Sequence, residues 1–188
     1  MDEKTRKLTH HFSEIIKLLD PEPSRASLTK TPERAAKAFR FLTSGHDEDI
    51  QEIINGALFE SANNGMVVVK DIEFYSTCEH HIMPFHGVAH VGYLPEGHVI
   101  GLSKIPRIVD HFARRLQIQE NLTLQIAHSL SKILATENVA VLIKAKHTCM
   151  CMRGVGKQNA FMISSTMLGA FLSNSSSREE FFRLTQEP

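Results

Sequence analysis

The sequence predicts an α+β fold: a sheet with helices packed on one of its faces, behind a set of N-terminal helices. Three observations carry that expectation. Apolar residues recur at helical spacing before residue 60, runs rich in β-branched and aromatic residues follow, and a pair of amphipathic helices interrupts the strand-like segments. With 188 residues the chain is long enough for one domain with a sizeable core and short for two. It reads as a single domain overall, with an N-terminal helical region, 1–60, and a sheet-bearing region, 61–188.

Leu8, Phe12, Ile15, Ile16 and Leu19 share a helical stripe between Asp2 and Asp20, and Pro21-Glu22-Pro23 ends it. A second helix takes Thr31 as N-cap and Pro32 as its first residue, runs through Ala36, Phe39 and Leu42, and stops near Gly45. A short helical piece follows around Asp49 to Ile54. Met66 to Tyr75 and Gly87 to Tyr93 read as strands, and Pro95-Glu96-Gly97 as a turn. Ser103 can cap a helix reaching Arg114. Leu122, Ile126, Leu130 and Ile133 then form the apolar stripe of a helix from about Gln119 to Ala135. Val139 to Met150 reads as a long strand, Ala160 to Phe171 as another, Ser173 to Ser177 as a loop, and Arg178 to Leu184 as a closing helical turn or two.

Composition excludes several functions. Lys plus Arg balance Asp plus Glu at 21 each, so no field of the whole chain recruits nucleic acid or an acidic membrane, and an anionic ligand needs a local basic cluster. No apolar stretch approaches the ~20 residues that span a bilayer, and Met1-Asp2-Glu3-Lys4 is unlike a signal peptide, so a cytoplasmic protein is expected. Three cysteines without an export signal point to thiols or metal ligands rather than disulfides.

The densest chemical signal is Cys78-Glu79-His80-His81, where Cys78 and His81 stand three apart at the end of a strand and can grip one metal ion. The second is His147-Thr148-Cys149-Met150-Cys151, where strand alternation puts residues 147, 149 and 151 on one face. Cys149 can complete a three-ligand set. Three protein ligands and an open position characterise catalytic zinc, which acidifies a bound water to a pKa of about 7. Alternation places Cys151 on the same face, where it reads as a packing thiol; were it a fourth ligand, the site would be closed. His80 and His147 neighbour the ligands and suit proton transfer near neutral pH, although a histidine in such a place can instead orient a ligand.

Ser103-Lys104-Ile105-Pro106-Arg107 lies at a helix start, where free N–H groups and the dipole favour phosphate. With Arg153, which follows the cysteine cluster, Lys104 and Arg107 could neutralise a triphosphate. The alternative is ordinary solvated charge, and Lys104 or Arg107 taken alone reads better that way. Glu120 either complements a helix dipole or accepts paired hydrogen bonds from the N1–H and amino group of a guanine.

Ser76-Thr77-Cys78-Glu79-His80-His81, Gly101-Leu102-Ser103-Lys104, Gln119-Glu120 and His147-Thr148-Cys149 followed by Arg153-Gly154 resemble, in this order, the motifs of zinc-dependent GTP cyclohydrolase I. The resemblance runs from about Thr31 to Leu184. It implies the tunnelling fold, an oligomeric barrel of antiparallel sheets, with 61–188 as the catalytic region. It also implies a homodecamer of two face-to-face pentamers with active sites at subunit interfaces. The implied reaction converts GTP and water to 7,8-dihydroneopterin triphosphate and formate, towards folate or tetrahydrobiopterin. Carried over by position, Cys78, His81 and Cys149 hold Zn2+, His80 and His147 transfer protons, and Glu120 holds the guanine. Ser103, Lys104, Arg107 and Arg153 meet the triphosphate, Gln119 lies in the same pocket, and Arg34 of Thr31-Pro32-Glu33-Arg34 reaches the phosphates of a neighbouring subunit. The family does not usually need a cysteine where Cys151 stands, and feedback control through the long N-terminal extension of some animal members is not expected. Two rivals make other demands: a related nitrile reductase with a nucleophilic cysteine needs nicotinamide and no zinc, and a zinc-stabilised scaffold needs four protein ligands.

Overall fold

Asp2 starts the first helix, its carboxylate accepting from the Thr5 amide at 2.9 Å and the Thr5 hydroxyl at 2.7 Å. In the computed structural model, which describes residues 1–186, helix α1 spans Glu3–Leu19 and α2 spans Thr31–Leu42. They pack side by side with the Phe12 and Phe39 rings 5.2 Å apart, in a compact unit of residues 1–44. Lys30, not Thr31, occupies the N-cap of α2, and no side chain caps it. The fixed φ of Pro32 starts that helix without one.

A second compact unit begins at Gly45. It opens with α3, Ile50–Ile54, and strand β1, Leu58–Glu60. The long strands β2, Val67–Cys78, and β3, Met83–Tyr93, pair antiparallel, and β4, His98–Ile100, pairs with β1. Helix α4, Lys104–Ala113, leads through β5, Leu116–Gln117, to α5, Gln119–Leu134. Strand β6, Val139–His147, pairs antiparallel with β3, and β7, Met162–Met167, with β6. The five-stranded sheet therefore runs β5-β2-β3-β6-β7. It is mixed rather than wholly antiparallel, because β5 joins β2 in parallel. Two- and three-residue strands such as β5, β1 and β4 are too short to show a period, so none was expected from the sequence.

Helices α4 and α5 cover one face of the sheet. Ile105, Ile108, Val109, Leu122, Ile126 and Leu130 are buried there against Phe74, Phe85, Val91, Val141 and Ile143. Each such side chain removed from water contributes about 1.5–3 kcal/mol before chain entropy is counted. The expectation of helices on one face only is corrected by the C-terminal end. Helices α7, Ala170–Ser173, and α8, Ser175–Thr185, bring Phe171 and Phe181 against Ala140, with Leu142 and Val68 beside them. Alternation along β6 separates the two faces, since Val139, Val141 and Ile143 belong to the first core and Ala140 and Leu142 to the second. Gly92 makes the room: a Cβ there would lie 2.6 Å from Cδ2 of Phe181. The strand expected from Ala160 to Phe171 is shorter because Gly169, at φ 53°, turns the chain into α7.

Candidate active site

Three backbone elements converge on one point. Cys78 is the last residue of β2, and a tight turn follows in which the Ile82 amide donates to the Cys78 carbonyl at 2.8 Å. Ile82 adopts φ 53°, a left-handed conformation that costs a β-branched residue on the order of 1–3 kcal/mol. That turn folds the His81 imidazole back over the strand end, placing Nδ1 3.6 Å from the Cys78 Sγ. Strand β5 braces the same corner, where the Glu79 amide donates to the Gln117 carbonyl at 3.1 Å.

Cys149 arrives from the other side. Strand β6 ends at His147 rather than continuing to Met150, and Thr148–Cys151 form a helical turn, α6. The Thr148 hydroxyl donates to the Pro84 carbonyl, pinning α6 to the start of β3. This corrects the alternation argument: residues 147, 149 and 151 do not share a strand face. Two positions apart on a helical turn diverge by about 200°, so Cys149 and Cys151 point different ways.

One ligand atom from each of Cys78, His81 and Cys149 lies within 4.8 Å of the other two, and Cys151 is outside this group. Around a tetrahedral zinc, with S and N ligands at about 2.3 and 2.0 Å, such atoms stand about 3.5–3.8 Å apart, so the donors fit that ion with little movement. All three cysteines are free thiols. Burial and the adjacent Cys78 sulfur push the Cys149 thiol pKa up, because two thiolates side by side repel; a bound cation reverses that preference.

His147 stands next to this group in sequence, at the end of β6. Its ring stacks on Phe85 with centroids 4.5 Å apart and planes 5° from parallel, and its Nε2 lies 2.8 Å from Oε1 of Gln119. Burial lowers its pKa below the ordinary histidine value, partly offset by the Glu120 carboxylate. Glu120 itself is exposed in the first turn of α5, whereas Gln119 is buried with its amide engaged by protein groups. His80 is exposed, 4.0 Å from the Glu79 carboxylate. Arg153 is exposed just beyond α6.

The remaining expected ligands lie on other elements. Ser103 and Arg107 are exposed at the start of α4, and Ser103 has helical backbone angles and caps nothing. Lys104 donates its ammonium to the Ile53 carbonyl at 2.8 Å, closing the end of α3. Among the described residues none of these three hydrogen-bonds to the triad or to His147. Arg34 is an exposed residue of α2, within the unit of residues 1–44. Sequence reasoning missed Phe85 and Thr148 as parts of the site: a strand phenylalanine reads as core, and a hydroxyl reaching a distant carbonyl has no sequence signal.

Among the described residues no helix is long and apolar enough to cross a membrane. The family model for GTP cyclohydrolase I matches residues 8–186. The protein named GTP cyclohydrolase 1 2 of Pseudomonas putida is 56% identical over 180 residues, covering 96% of this chain and 97% of that one. GTP cyclohydrolase 1 1 of Pseudomonas aeruginosa is 55% identical over 94% of this chain and 95% of its own length. GTP cyclohydrolase 1 of Pseudoalteromonas atlantica is 51% identical over 94% of this chain and 96% of its own. A solved apo structure, the archaeosine synthase QueF-Like, shares 17% identity at a TM-score of 0.46, over 56% of this chain and 94% of that one. With a family match over nearly the whole length, and relatives more than half identical over nearly all of theirs, the chain belongs to the GTP cyclohydrolase I family of enzymes.

Proposed function

We propose that this chain hydrolyses GTP to 7,8-dihydroneopterin triphosphate and formate, with zinc held by Cys78, His81 and Cys149. The convergence of those three ligand atoms within 4.8 Å, from a strand end, a strained turn and a separate helical turn, carries the reading. The group has three members among the described residues and not the four of a closed structural site. When bound, zinc supplies Lewis acidity that makes water nucleophilic near neutral pH.

The rest falls to the side chains. Release of C8 of the guanine as formate requires protons at the ring nitrogens as the C8–N bonds break, and His147 and His80 are the groups assigned to move them. His80 also serves the later rearrangement of the ribose. Glu120 accepts from the N1–H and amino group of the guanine, a pair of donors that adenine lacks. Ser103, Lys104, Arg107 and Arg153 receive the triphosphate, for which Lys104 gives up the Ile53 carbonyl, and Arg34 contributes from a neighbouring subunit. This assignment goes with the tunnelling fold and a homodecamer, in which residues of adjoining subunits complete each site. The cytoplasm, which holds GTP and keeps thiols reduced, suits the reaction.

Incubation of the purified protein with GTP and zinc should yield formate and a pterin chromophore. Converting His147 to Ala should abolish both products while leaving about one zinc per protomer. Undiminished formate release by that variant would remove His147 from the mechanism.

A further inference from the structure

Gln119 opens α5, yet it is only 1% exposed. An amide buried so deeply must place two N–H hydrogens and one carbonyl oxygen. Its Nε2 lies 3.2 Å from the Ile143 carbonyl, 3.2 Å from the Met162 carbonyl and 3.0 Å from the Ser164 hydroxyl. Backbone carbonyls only accept, so the amide cannot be turned over: the reverse orientation would set Oε1 against two oxygens. Oε1 therefore faces Nε2 of His147 at 2.8 Å, and an oxygen without hydrogen can only accept there. Nε2 of His147 must carry the proton.

The donor and acceptor of each bond around this amide follow, with the two Nε2 hydrogens shared among three acceptors. The Thr123 hydroxyl donates to the Gln119 carbonyl at 2.8 Å, so its contact of 2.6 Å with Ser164 must receive the Ser164 proton. Ser164 has then given its only hydrogen and can accept from the Gln119 Nε2. The result is a closed ring of hydrogen bonds, from the Gln119 side chain to Ser164 to Thr123 and back to the Gln119 backbone. No member can reverse alone. On the His147 side, stacking on Phe85 holds the plane of the imidazole. Nδ1 has no hydrogen-bond partner among the described residues: His147 occupies the N-cap position of α6, but its side chain caps nothing.

We infer that Gln119 is a positioning residue, which holds His147 in its Nε2–H form and so leaves Nδ1 as the nitrogen that exchanges protons with the substrate. The inference deepens the role proposed for His147 and rests on it. It gives Gln119 a task that needs no contact with GTP: the amide hydrogens are directed to strands β6 and β7, and the oxygen to the imidazole.

Two variants of the assembled, zinc-loaded protein test it. Q119M removes the side-chain hydrogen bonds at nearly constant volume. Q119E, as a neutral carboxyl, keeps an acceptor opposite His147 and one O–H for the carbonyls. We expect kcat for formate release to fall roughly 10- to 100-fold in Q119M, with KM for GTP and zinc content within about twofold of wild type, and to be largely restored in Q119E. A rise in KM at unchanged kcat would overturn the inference in favour of direct substrate contact, as would a Q119M kcat equal to that of wild type. A second readout needs no turnover. In histidine-labelled protein near pH 8, with the His147 signals assigned by their absence in H147A, NMR should place the proton on the nitrogen bonded to Cδ2. A proton on the nitrogen bonded to Cγ overturns the inference. Q119E and the spectra carry the test even if Q119M fails to assemble. Wild-type protein that released no formate from GTP would defeat the proposed activity, while the spectra would still report on the hydrogen-bond ring.

Discussion

Gly92 and Phe181 offer the sharpest test of how the back of the sheet is built. A Cβ added at Gly92 would meet Cδ2 of Phe181 at 2.6 Å and Cε2 at 2.8 Å, well inside van der Waals contact. The ring has little freedom to move away, since it is fully buried and packs edge-on against Phe171 at 5.8 Å. Gly92→Ala should therefore destabilise the protein by about 1–3 kcal/mol through overpacking. Phe181→Ala should cost about 3–5 kcal/mol, as expected for a large buried ring. Combined, the two should cost less than their sum, because without the ring the new methyl group enters an empty hollow. A favourable coupling of about 1–3 kcal/mol is expected from a double-mutant cycle. The measurement is urea unfolding at one protein concentration with zinc present, since assembly and ligand both add to apparent stability. Zinc content should not change in Gly92→Ala: Gly92 lies nine positions along β3 from Met83, the partner of Cys78, about 30 Å away. Equal costs of Gly92→Ala in the two backgrounds, within about 0.5 kcal/mol, would refute the packing account.

Two further outcomes follow from the geometry. Cys149→Ala should strip zinc and activity together, while Cys151→Ala should keep about one zinc per protomer, because a helical turn directs the two thiols apart; metal analysis showing the opposite pattern would exchange their roles. Stability should also depend on pH through His111, which is 5% exposed and whose Nε2 lies 2.6 Å from an Arg115 nitrogen and so accepts from it. Burial and the Arg115 charge lower its pKa below 6.5, against an opposing pull from Glu48, 3.8 Å from Nδ1. A histidine depressed in the folded state takes up its proton on unfolding. Its contribution is thus complete above about pH 6.5 and shrinks as pH falls from there towards the folded pKa. The urea midpoint should drop between about pH 7.5 and about pH 5.5, and drop less in H111Q; an identical drop in both proteins would assign the dependence to other groups.

Much of this protein was legible in its sequence because the signals are local. Helical stripes reported α1, α2 and α5 to within about three residues, since burial of one helix face dictates the spacing. The closeness of Cys78 and His81 was legible because they lie three apart, a span that one turn can close. Other features depended on partners far away in the chain. Strand alternation could not separate Cys149 from Cys151; the end of β6 at His147 and the Thr148 bond to Pro84 did so. No local pattern could say that Gln119 is buried with its amide committed, because its partners lie on β6 and β7, more than twenty residues on. The packing of α7 and α8 on the second face needed the hollow left by Gly92 and Ala140, residues that a strand pattern registers only as small. Local periodicity is set by the geometry of a single element and can be read from one stretch of chain. Which thiol lies beside Cys78 and His81, which way the Gln119 amide faces and which sheet face a helix covers are set by contacts between elements, and only tertiary packing decides those.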